Sequence, residues 1–203
     1  MSMTVSIDEI ADCSEFRHLA SIAGIAVDLR YASADNFIGR DLYSPTDCAW
    51  LHADAAAALE RVVAWLAQHA PGCTALVLDA LRPQHVQQQL WTALEGTDLQ
   101  LYLAHPARGS IHSFGMALDI TILDADGREL DMGSGFDDMS ERSHPACEQL
   151  MLAAGHITPG QVANRQLLRD AMGQAGFTGI ATEWWHYDCG DRELVRRTFR
   201  RVL

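Results

Sequence analysis

Positive charge is scarce in this chain of 203 residues. Lysine and arginine together number 15, against 27 aspartates and glutamates, and the formal net charge is -12 at pH 7. A surface of this sign repels phosphate groups, so the composition argues against a nucleic-acid partner and against binding to an anionic membrane. The composition favours a small molecule or a peptide as the partner.

Long hydrophobic runs are missing as well. No segment approaches the roughly 20 apolar residues that a membrane-spanning helix requires. The first ten residues also have no basic stretch followed by an apolar run, which is the pattern of a secretory signal. We therefore expect the protein to stay in the cytoplasm.

Paired cysteines are the third absence. The cysteines are odd in number, widely spaced and without a Cys-x-x-Cys pair, which is typical of reduced thiols and not of a disulfide framework. We expect none of them to bind a metal. The five are Cys13, Cys48, Cys73, Cys147 and Cys189.

The chain does contain a series of short helix and strand patterns, with no internal repeat. The predicted helices cover 54–70, 86–94 and 164–175, and the predicted strands cover 74–78, 119–122 and 182–187. This order favours an α+β fold with a mainly antiparallel central sheet flanked by helices. The length and the 48% of hydrophobic residues suit one domain over residues 1–203. In the arginine-rich tail 191–203 we expect a solvated terminal helix, with a partner-binding strip as the alternative.

Two segments contain the residue types of a metal site. Residues 110–119 read Ser-Ile-His-Ser-Phe-Gly-Met-Ala-Leu-Asp, and residues 183–186 read Glu-Trp-Trp-His. Together they supply two imidazoles, one carboxylate to bind a metal and one spare carboxylate. A structural zinc site has four protein ligands, whereas a catalytic one uses three and leaves the fourth position open. The pattern therefore predicts a catalytic zinc site.

The spacing of His112 and Asp119 constrains the backbone between them. A straight strand would place them roughly 23 Å apart, too far for one ion. A helix would place them roughly 10.5 Å apart along its axis and would contain Gly115. We therefore predict a bend around residues 113–115, with Asp119 on a strand. On such a strand Gly115, Ala117 and Asp119 share one face, where the two small residues would leave room for a metal and a small ligand.

The second segment has a similar conflict. Glu183 and His186 face opposite sides of a regular strand, so if both serve one centre the backbone must bulge or turn between Trp184 and Trp185. The two indoles would then form a wall of the cavity, although a plain core role for them is the alternative.

The order of these motifs resembles the zinc D-alanyl-D-alanine dipeptidases of the VanX type, within the group of D,D-peptidases and hedgehog-like metallopeptidases. The resemblance rests on Ser-x-His-x-x-Gly-x-Ala-x-Asp and Glu-x-Trp-His and covers most of the chain. Further matching blocks lie at 28–39, 79–84, 132–137, 141–144 and 164–165. The resemblance implies a hedgehog/D,D-peptidase-like α+β fold, one Zn²⁺ per chain and a small D,D-dipeptide as the substrate.

The resemblance also implies the residues of the reaction. His112, Asp119 and His186 match the zinc ligands, Glu183 matches the catalytic base, and Arg82 matches the arginine that stabilises the transition state. Their chemistry agrees with these roles, because a carboxylate can move the proton of an attacking water and a permanently charged guanidinium can bind an oxyanion.

Four more residues match positions that line the dipeptide pocket. These are Tyr31, Ser110 and Asp137, with Asp79 as a further candidate beside Asp137 at the ammonium end of the substrate. The sequence departs from the family pattern at Phe114, where an arginine is usual, and at Leu81, where an aromatic residue is common. These departures leave the shape of the pocket open.

Three functions fit the sequence. The first is a cytoplasmic dipeptidase that cleaves D-Ala-D-Ala to recycle or deplete a cell-wall precursor. The second is a peptidoglycan D,D-carboxypeptidase or endopeptidase on the same scaffold. The third is a non-catalytic zinc-binding module, against which Glu183 and Arg82 argue because a structural site needs neither a base nor an oxyanion donor. The oligomeric state is not predictable from the sequence.

Overall fold

A computed structural model describes residues 3–203. Met1 and Ser2 lie outside the described residues; they belong to the N-terminal segment considered above and to the expected domain. The described helices are α1 (Ala53–His69), α2 (Gln84–Ala93), α3 (Glu148–Ala153), α4 (Pro159–Gln174) and α5 (Arg192–Thr198). The described strands are β1 (Thr4–Val5), β2 (Phe16–His18), β3 (Ile25–Val27), β4 (Trp50–His52), β5 (Thr74–Asp79), β6 (Ala117–Leu123), β7 (Phe177–Gly179), β8 (His186–Cys189) and β9 (Arg201–Val202).

The central sheet has five strands in the order β3-β5-β6-β8-β7. β3 and β5 are parallel, whereas the three other neighbouring pairs are antiparallel. Two small ribbons lie beside it, β2 with β4 and β1 with β9. The predicted α+β fold with a mainly antiparallel central sheet is therefore confirmed.

Helix α1 covers the sheet with an apolar stripe. Leu59, Val62 and Leu66 recur at helical spacing and are buried in the main hydrophobic core. Alanines at 55, 56 and 58 are buried between them, so the helix backbone can approach the strands closely. The helix ends before Pro71 and Gly72, as the sequence pattern predicts.

Helix α4 begins five residues earlier than its apolar pattern indicates. Thr158 caps it by accepting from the backbone N–H of Gln161, whose side chain in turn accepts from the backbone N–H of Thr158. Pro159 occupies the first helical position, where its missing N–H costs nothing. The first turn is polar, so apolar periodicity alone misses it. Capping residues, which the sequence does contain, mark the true start.

The C-terminal tail corrects a prediction. α5 is a helix, but the chain then forms β9, which pairs in parallel with β1. The guanidinium of Arg201 lies over the ring of Phe114, 5.3 Å from its centroid. The tail therefore contains the expected, largely exposed helix, but its last residues pack against the rest of the molecule instead of continuing that helix. Separately, none of the helices within residues 3–203 combines the length and the apolar character needed to cross a bilayer.

Register across the central sheet brings three polar residues into one row. Asp79 at the end of β5 lies opposite Asp119 of β6, and Asp119 lies opposite His186, the first residue of β8. The three side chains are buried. Because neighbouring strands lie about 4.8 Å apart, the sheet itself places these residues side by side.

Candidate active site

The chain bends between Ser110 and Asp119, as their spacing predicts. Residues Ile111–Phe114 form a single 3₁₀ turn, and Gly115 follows with φ of 65° in the left-handed region that favours glycine. Strand β6 begins only at Ala117. A turn therefore presents His112 and a strand presents Asp119, which confirms the predicted bend.

The small residues of this segment do not have the role expected of them. A Cβ atom on Gly115 would lie 2.7 Å from the backbone N of His52, and the Gly115 carbonyl accepts a hydrogen bond from that same N–H at 2.9 Å. Ala117 is fully buried in the hydrophobic core. Neither residue opens space for a metal; Gly115 instead allows the turn and the close approach of β4.

The second motif is less regular than predicted. β8 begins at His186, and the chain bends at Trp184 and Trp185, so the strand predicted over 182–187 is wrong in its first part. Glu183, Trp185 and His186 line a cavity of about 390 Å³. Trp184 points away, and its indole N–H donates to Ser134 Oγ at 2.9 Å. Only one of the two indoles therefore forms the cavity wall.

Three donor atoms meet in the predicted ligand group. His112 Nε2 lies 3.1 Å from His186 Nδ1, which lies 3.0 Å from Asp119 Oδ1, and the remaining separation, from His112 Nε2 to Asp119 Oδ1, is 3.4 Å. Tetrahedral zinc with bonds of about 2.0–2.1 Å separates its ligand atoms by about 3.3 Å. The three buried side chains can therefore hold one metal ion of this size.

Hydrogen bonds orient both imidazoles toward this point. His112 Nδ1 lies 2.8 Å from the carbonyl oxygen of Ala80, and His186 Nε2 lies 3.0 Å from Asp188 Oδ1. A proton on each of these outer nitrogens leaves the inner nitrogens as acceptors facing Asp119. Sequence reasoning missed Asp188, although its position two residues after His186 on one strand puts both on the same face.

The charge balance of the group favours a cation. Burial alone would raise the pKa of Asp119, but the charges and hydrogen bonds of His112 and His186 hold it well below its usual range. Burial would lower the pKa of His186, yet hydrogen bonds to Asp119 and Asp188 outweigh it and raise the pKa to about 10. The centre of the group thus favours positive charge, whether from a proton or from a metal ion.

Two further carboxyl groups of the cavity have the opposite shift. Burial raises the pKa of Glu183 to about 7; the charge of Asp119 adds to this and that of His186 opposes it. Burial and the charge of Asp119 raise the pKa of Asp137 to about 8. Asp137 adopts φ of 59° and accepts from the Tyr31 hydroxyl at 3.2 Å. A carboxyl that titrates near neutral pH can both accept and return a proton.

Arg82 is fixed at the edge of the same cavity. Its Nε and Nη2 donate to one oxygen of Asp79 at 2.9 and 2.6 Å, and Nη2 also lies 3.4 Å from Asp119. Its guanidinium lies 4.9 Å from the centroid of the Tyr31 ring. The buried ion pair with Asp79 holds a positive charge beside the donor group.

Asp79 is not a residue of the cavity wall. It is fully buried and accepts from Arg82, from the Tyr43 hydroxyl and from the backbone N–H of Ala80. Its geometry therefore favours a positioning role toward Arg82 over contact with a substrate. Tyr43 is a partner that sequence reasoning did not find.

The structure brings the remaining predicted residues together around the cavity. Those that line it are Tyr31, Arg82, Ser110, Asp119, Asp137, Glu183 and His186, with His112 buried behind them. Phe114 and Leu81 lie elsewhere: Phe114 packs under Arg201, and Leu81 is buried in a cluster with Val5 and Phe16. The two residues at which the sequence departs from the family pattern therefore do not line this cavity.

Fold and site together have the features of a metallopeptidase-type hydrolase. A sequence profile of the D-Ala-D-Ala dipeptidase family matches residues 12–202, and the chain belongs to this family. It is therefore an enzyme, a dipeptidase, which excludes the non-catalytic module considered above.

Similar proteins with the name D-alanyl-D-alanine dipeptidase support this family membership. The D-alanyl-D-alanine dipeptidase of Escherichia coli is 39% identical over 182 residues, which cover 88% of this chain and 86% of the relative. The enzyme of that name from Enterococcus faecium is 32% identical over 88% of this chain and 92% of its own length. The Enterococcus faecalis enzyme is 32% identical over 81% of this chain and 85% of its own.

Proposed function

We propose that the protein is a zinc-dependent dipeptidase that hydrolyses D-Ala-D-Ala to two molecules of D-alanine, in the turnover or recycling of a cell-wall precursor. The observation that supports it most is the group formed by His112, Asp119 and His186, whose donor atoms are spaced as tetrahedral zinc requires. The relatives named above have this dipeptide in their names. A bound Zn²⁺ polarises the scissile carbonyl and makes a water molecule more acidic.

Glu183 moves the proton of the reaction. Its carboxylate takes a proton from the attacking water as the oxygen bonds to the carbonyl carbon, and returns it to the nitrogen as the C–N bond breaks. The two products are one carboxylic acid and one amine, so water is the sole co-reactant. A pKa of about 7 suits a group that must act first as a base and then as an acid.

Arg82 stabilises the negative charge that develops on the carbonyl oxygen. The ion pair with Asp79 fixes its guanidinium before the reaction begins, so little reorganisation is needed when the charge appears. Arg82 Nη1 donates one N–H to Gln87 Oε1 at 3.4 Å, and its other N–H remains for an oxyanion in the cavity. Asp79 thus acts through Arg82 and not on the substrate.

Asp137 and Tyr31 recognise the ammonium end of the dipeptide. Asp137 has a raised pKa because it is buried near Asp119, and an ammonium group beside it would favour its ionised form. The Tyr31 hydroxyl donates to Asp137 and fixes the carboxylate. Ser110 lines the cavity beside the turn that presents His112.

The experiment that tests this function compares four substrates. The zinc-loaded protein is incubated separately with D-Ala-D-Ala, L-Ala-L-Ala, D-Ala-D-lactate and a pentapeptide that ends in D-Ala-D-Ala, and released D-alanine is measured. We expect cleavage of the D,D-dipeptide alone. Cleavage of the pentapeptide would place a D,D-carboxypeptidase first, and cleavage of L-Ala-L-Ala would contradict D,D-specificity. Metal analysis of the purified protein tests for one Zn²⁺ per chain, and cell fractionation tests the predicted cytoplasmic location.

A further inference from the structure

Besides Arg82, three arginines line the cavity beside the metal-ligand group, and none of them is among the predicted site residues. They are Arg108, from the segment before Ser110, and Arg192 and Arg196, both on α5. The chain contains no lysine and has a net charge of -12, so three permanent cations on one cavity wall contrast with its composition. We name this group the arginine wall.

A chain of contacts that passes through the metal-ligand group connects Asp137 to the arginine wall. Asp137 lies 3.2 Å from the Tyr31 hydroxyl, and the Tyr31 ring lies 4.9 Å from the guanidinium of Arg82. Arg82 lies 3.4 Å from Asp119, which lies 3.0 Å from His186. His186 lies 3.0 Å from Asp188, which lies 2.5 Å from Arg192. The cavity therefore has a carboxyl group toward one end of this chain and guanidinium groups toward the other.

Arg196 has the least exposed side chain of the three arginines. Its side chain is 11% exposed, against 62% for Arg108 and 46% for Arg192. Its Nε donates to the carbonyl of Gly109 at 3.2 Å, and its Nη1 donates to Glu193 at 2.8 Å. Within residues 3–203, its Nη2 makes no hydrogen bond. This largely buried cation thus has a donor group to spare at the cavity wall.

The carboxylates beside the arginine wall do not neutralise it. Glu193 is shared between Arg108 and Arg196, and Asp188 is shared between Arg192 and His186. Three guanidinium groups thus share two carboxylates, one of which also binds a histidine. Consistent with this excess, burial and the charges of Arg108 and Arg192 lower the pKa of Arg196, with Glu193 opposing them.

We propose that Arg196, with Arg108 and Arg192 beside it, forms the subsite that binds the free C-terminal carboxylate of the dipeptide. This inference rests on the proposed function and names the part of the substrate that the arginine wall recognises. The carboxylate of a dipeptide lies one residue beyond the scissile bond, or about 3.5 Å of extended chain. Arg192 is separated from His186 by Asp188 alone, so the wall lies within short reach of the reacting centre.

The arginine wall would also discriminate against peptides that extend beyond the second residue at the C-terminus. A guanidinium binds a carboxylate through two parallel N–H donors, and a neutral amide at the same place cannot replace the charge. A peptide that extends beyond the second residue has no carboxylate at this distance. The subsite therefore selects ligands with a free carboxylate directly after the second residue.

The test compares two ligands that differ only at this group, D-Ala-D-Ala and its C-terminal amide. Their binding is measured by calorimetry to zinc-loaded E183Q, in which turnover is suppressed, and to the same protein with R196M, R196K or R197M added. Arg197 is an exposed neighbour on α5 that does not line the cavity, so R197M is the matched control. Zinc content and thermal unfolding are recorded for every variant.

We expect the free acid to bind more tightly than the amide by on the order of 10- to 100-fold. R196M should bring this ratio close to one, with the affinity for the amide almost unchanged. R196K should keep part of the ratio, because the charge remains, and R197M should keep all of it. If R196M does not fold, R192M should lower the ratio in the same direction.

Other results overturn the subsite. An acid-to-amide ratio that R196M leaves unchanged, or a loss of affinity for both ligands alike, would show that Arg196 has only a structural role. Failure of both ligands to bind would also exclude the subsite. Failure of the proposed function looks different: E183Q would still prefer the free acid, while the protein with Glu183 intact would release no D-alanine.

Discussion

The metal-ligand group and the arginine wall line one cavity but are built differently. Asp119 and His186 lie opposite each other on neighbouring strands of the central sheet, where register sets their separation. Arg108 comes from a loop, and Arg192 and Arg196 come from a seven-residue helix near the C-terminus. Sites on regular strands are held more precisely than sites on loops. The difference suggests that the sheet fixes the reacting centre, whereas the periphery sets which substrates enter.

Two acids of the cavity also differ in the sign of their pKa shift. Burial raises the pKa of both, but the two imidazoles hold that of Asp119 below its usual range, whereas that of Glu183 rises to about 7. The shifts are opposite because only Asp119 is hydrogen-bonded to the two histidines. Their different roles, as ligand and as base, follow from their surroundings and not from residue type.

The largest expected effect comes from breaking the metal-ligand group. Asp119→Ala removes the only carboxylate among the three donors, so the protein should lose stoichiometric zinc and its D-alanine release should fall to background. Metal analysis and a turnover assay measure the two losses. Full zinc occupancy in this variant would show that Asp119 is not a ligand.

The next effect separates the base from the ligands. Glu183→Gln keeps the shape of the side chain and removes its ability to accept a proton, so turnover should fall by about 10²- to 10⁴-fold while zinc remains bound. Glu95→Gln, at an exposed position away from the cavity, is the control and should leave turnover unchanged. An active E183Q enzyme would assign the base elsewhere.

A smaller effect tests the hydrogen bond between Asp188 and the proposed ligand His186. Asp188→Asn removes the charge that accepts from His186 Nε2, and we expect zinc affinity to fall by about 10- to 100-fold. Competition with a chelator of known affinity measures the change. Equal zinc affinity in the two proteins would mean that Asp188 serves only its ion pair with Arg192.

The last effect concerns the pH dependence of stability at Asp137, which lines the cavity. Because the pKa of Asp137 is raised to about 8, the folded protein binds this proton more tightly than the unfolded chain does, where the pKa is about 3.9. Stability contributed by that proton is therefore present below about pH 4 and is lost as the pH rises to about 8. Asp137→Asn should remove this dependence.

Thermal unfolding of the metal-free protein from pH 4 to above pH 8 checks this effect. The Tm of D137N relative to the unmodified protein should rise steadily across the range and level off above about pH 8. Asp12→Asn, at an exposed position, is the control and should show no such trend. A difference between D137N and the unmodified protein that is constant with pH would contradict the raised pKa.

The sequence predicted more of the reacting centre than of its surroundings. The bend before β6 follows from the spacing of His112 and Asp119, and the irregular backbone at Trp184 and Trp185 follows from strand parity. The start of α4 was missed because its first turn is polar, although Thr158 marks it. The expected space beside Gly115 is wrong, since β4, which belongs to a separate two-stranded ribbon, lies against this glycine.

The sequence by itself determined the donor types, their spacing and therefore the need for a bend, because these depend on the local chain and on ligand chemistry. Only the tertiary structure decided that Arg82 lies beside Asp119, 37 residues away, and that Asp79 supports it. The tertiary structure alone also decided that Arg196 lines the cavity. Burial and long-range contacts depend on how distant segments pack together, so no local pattern in the chain specifies them.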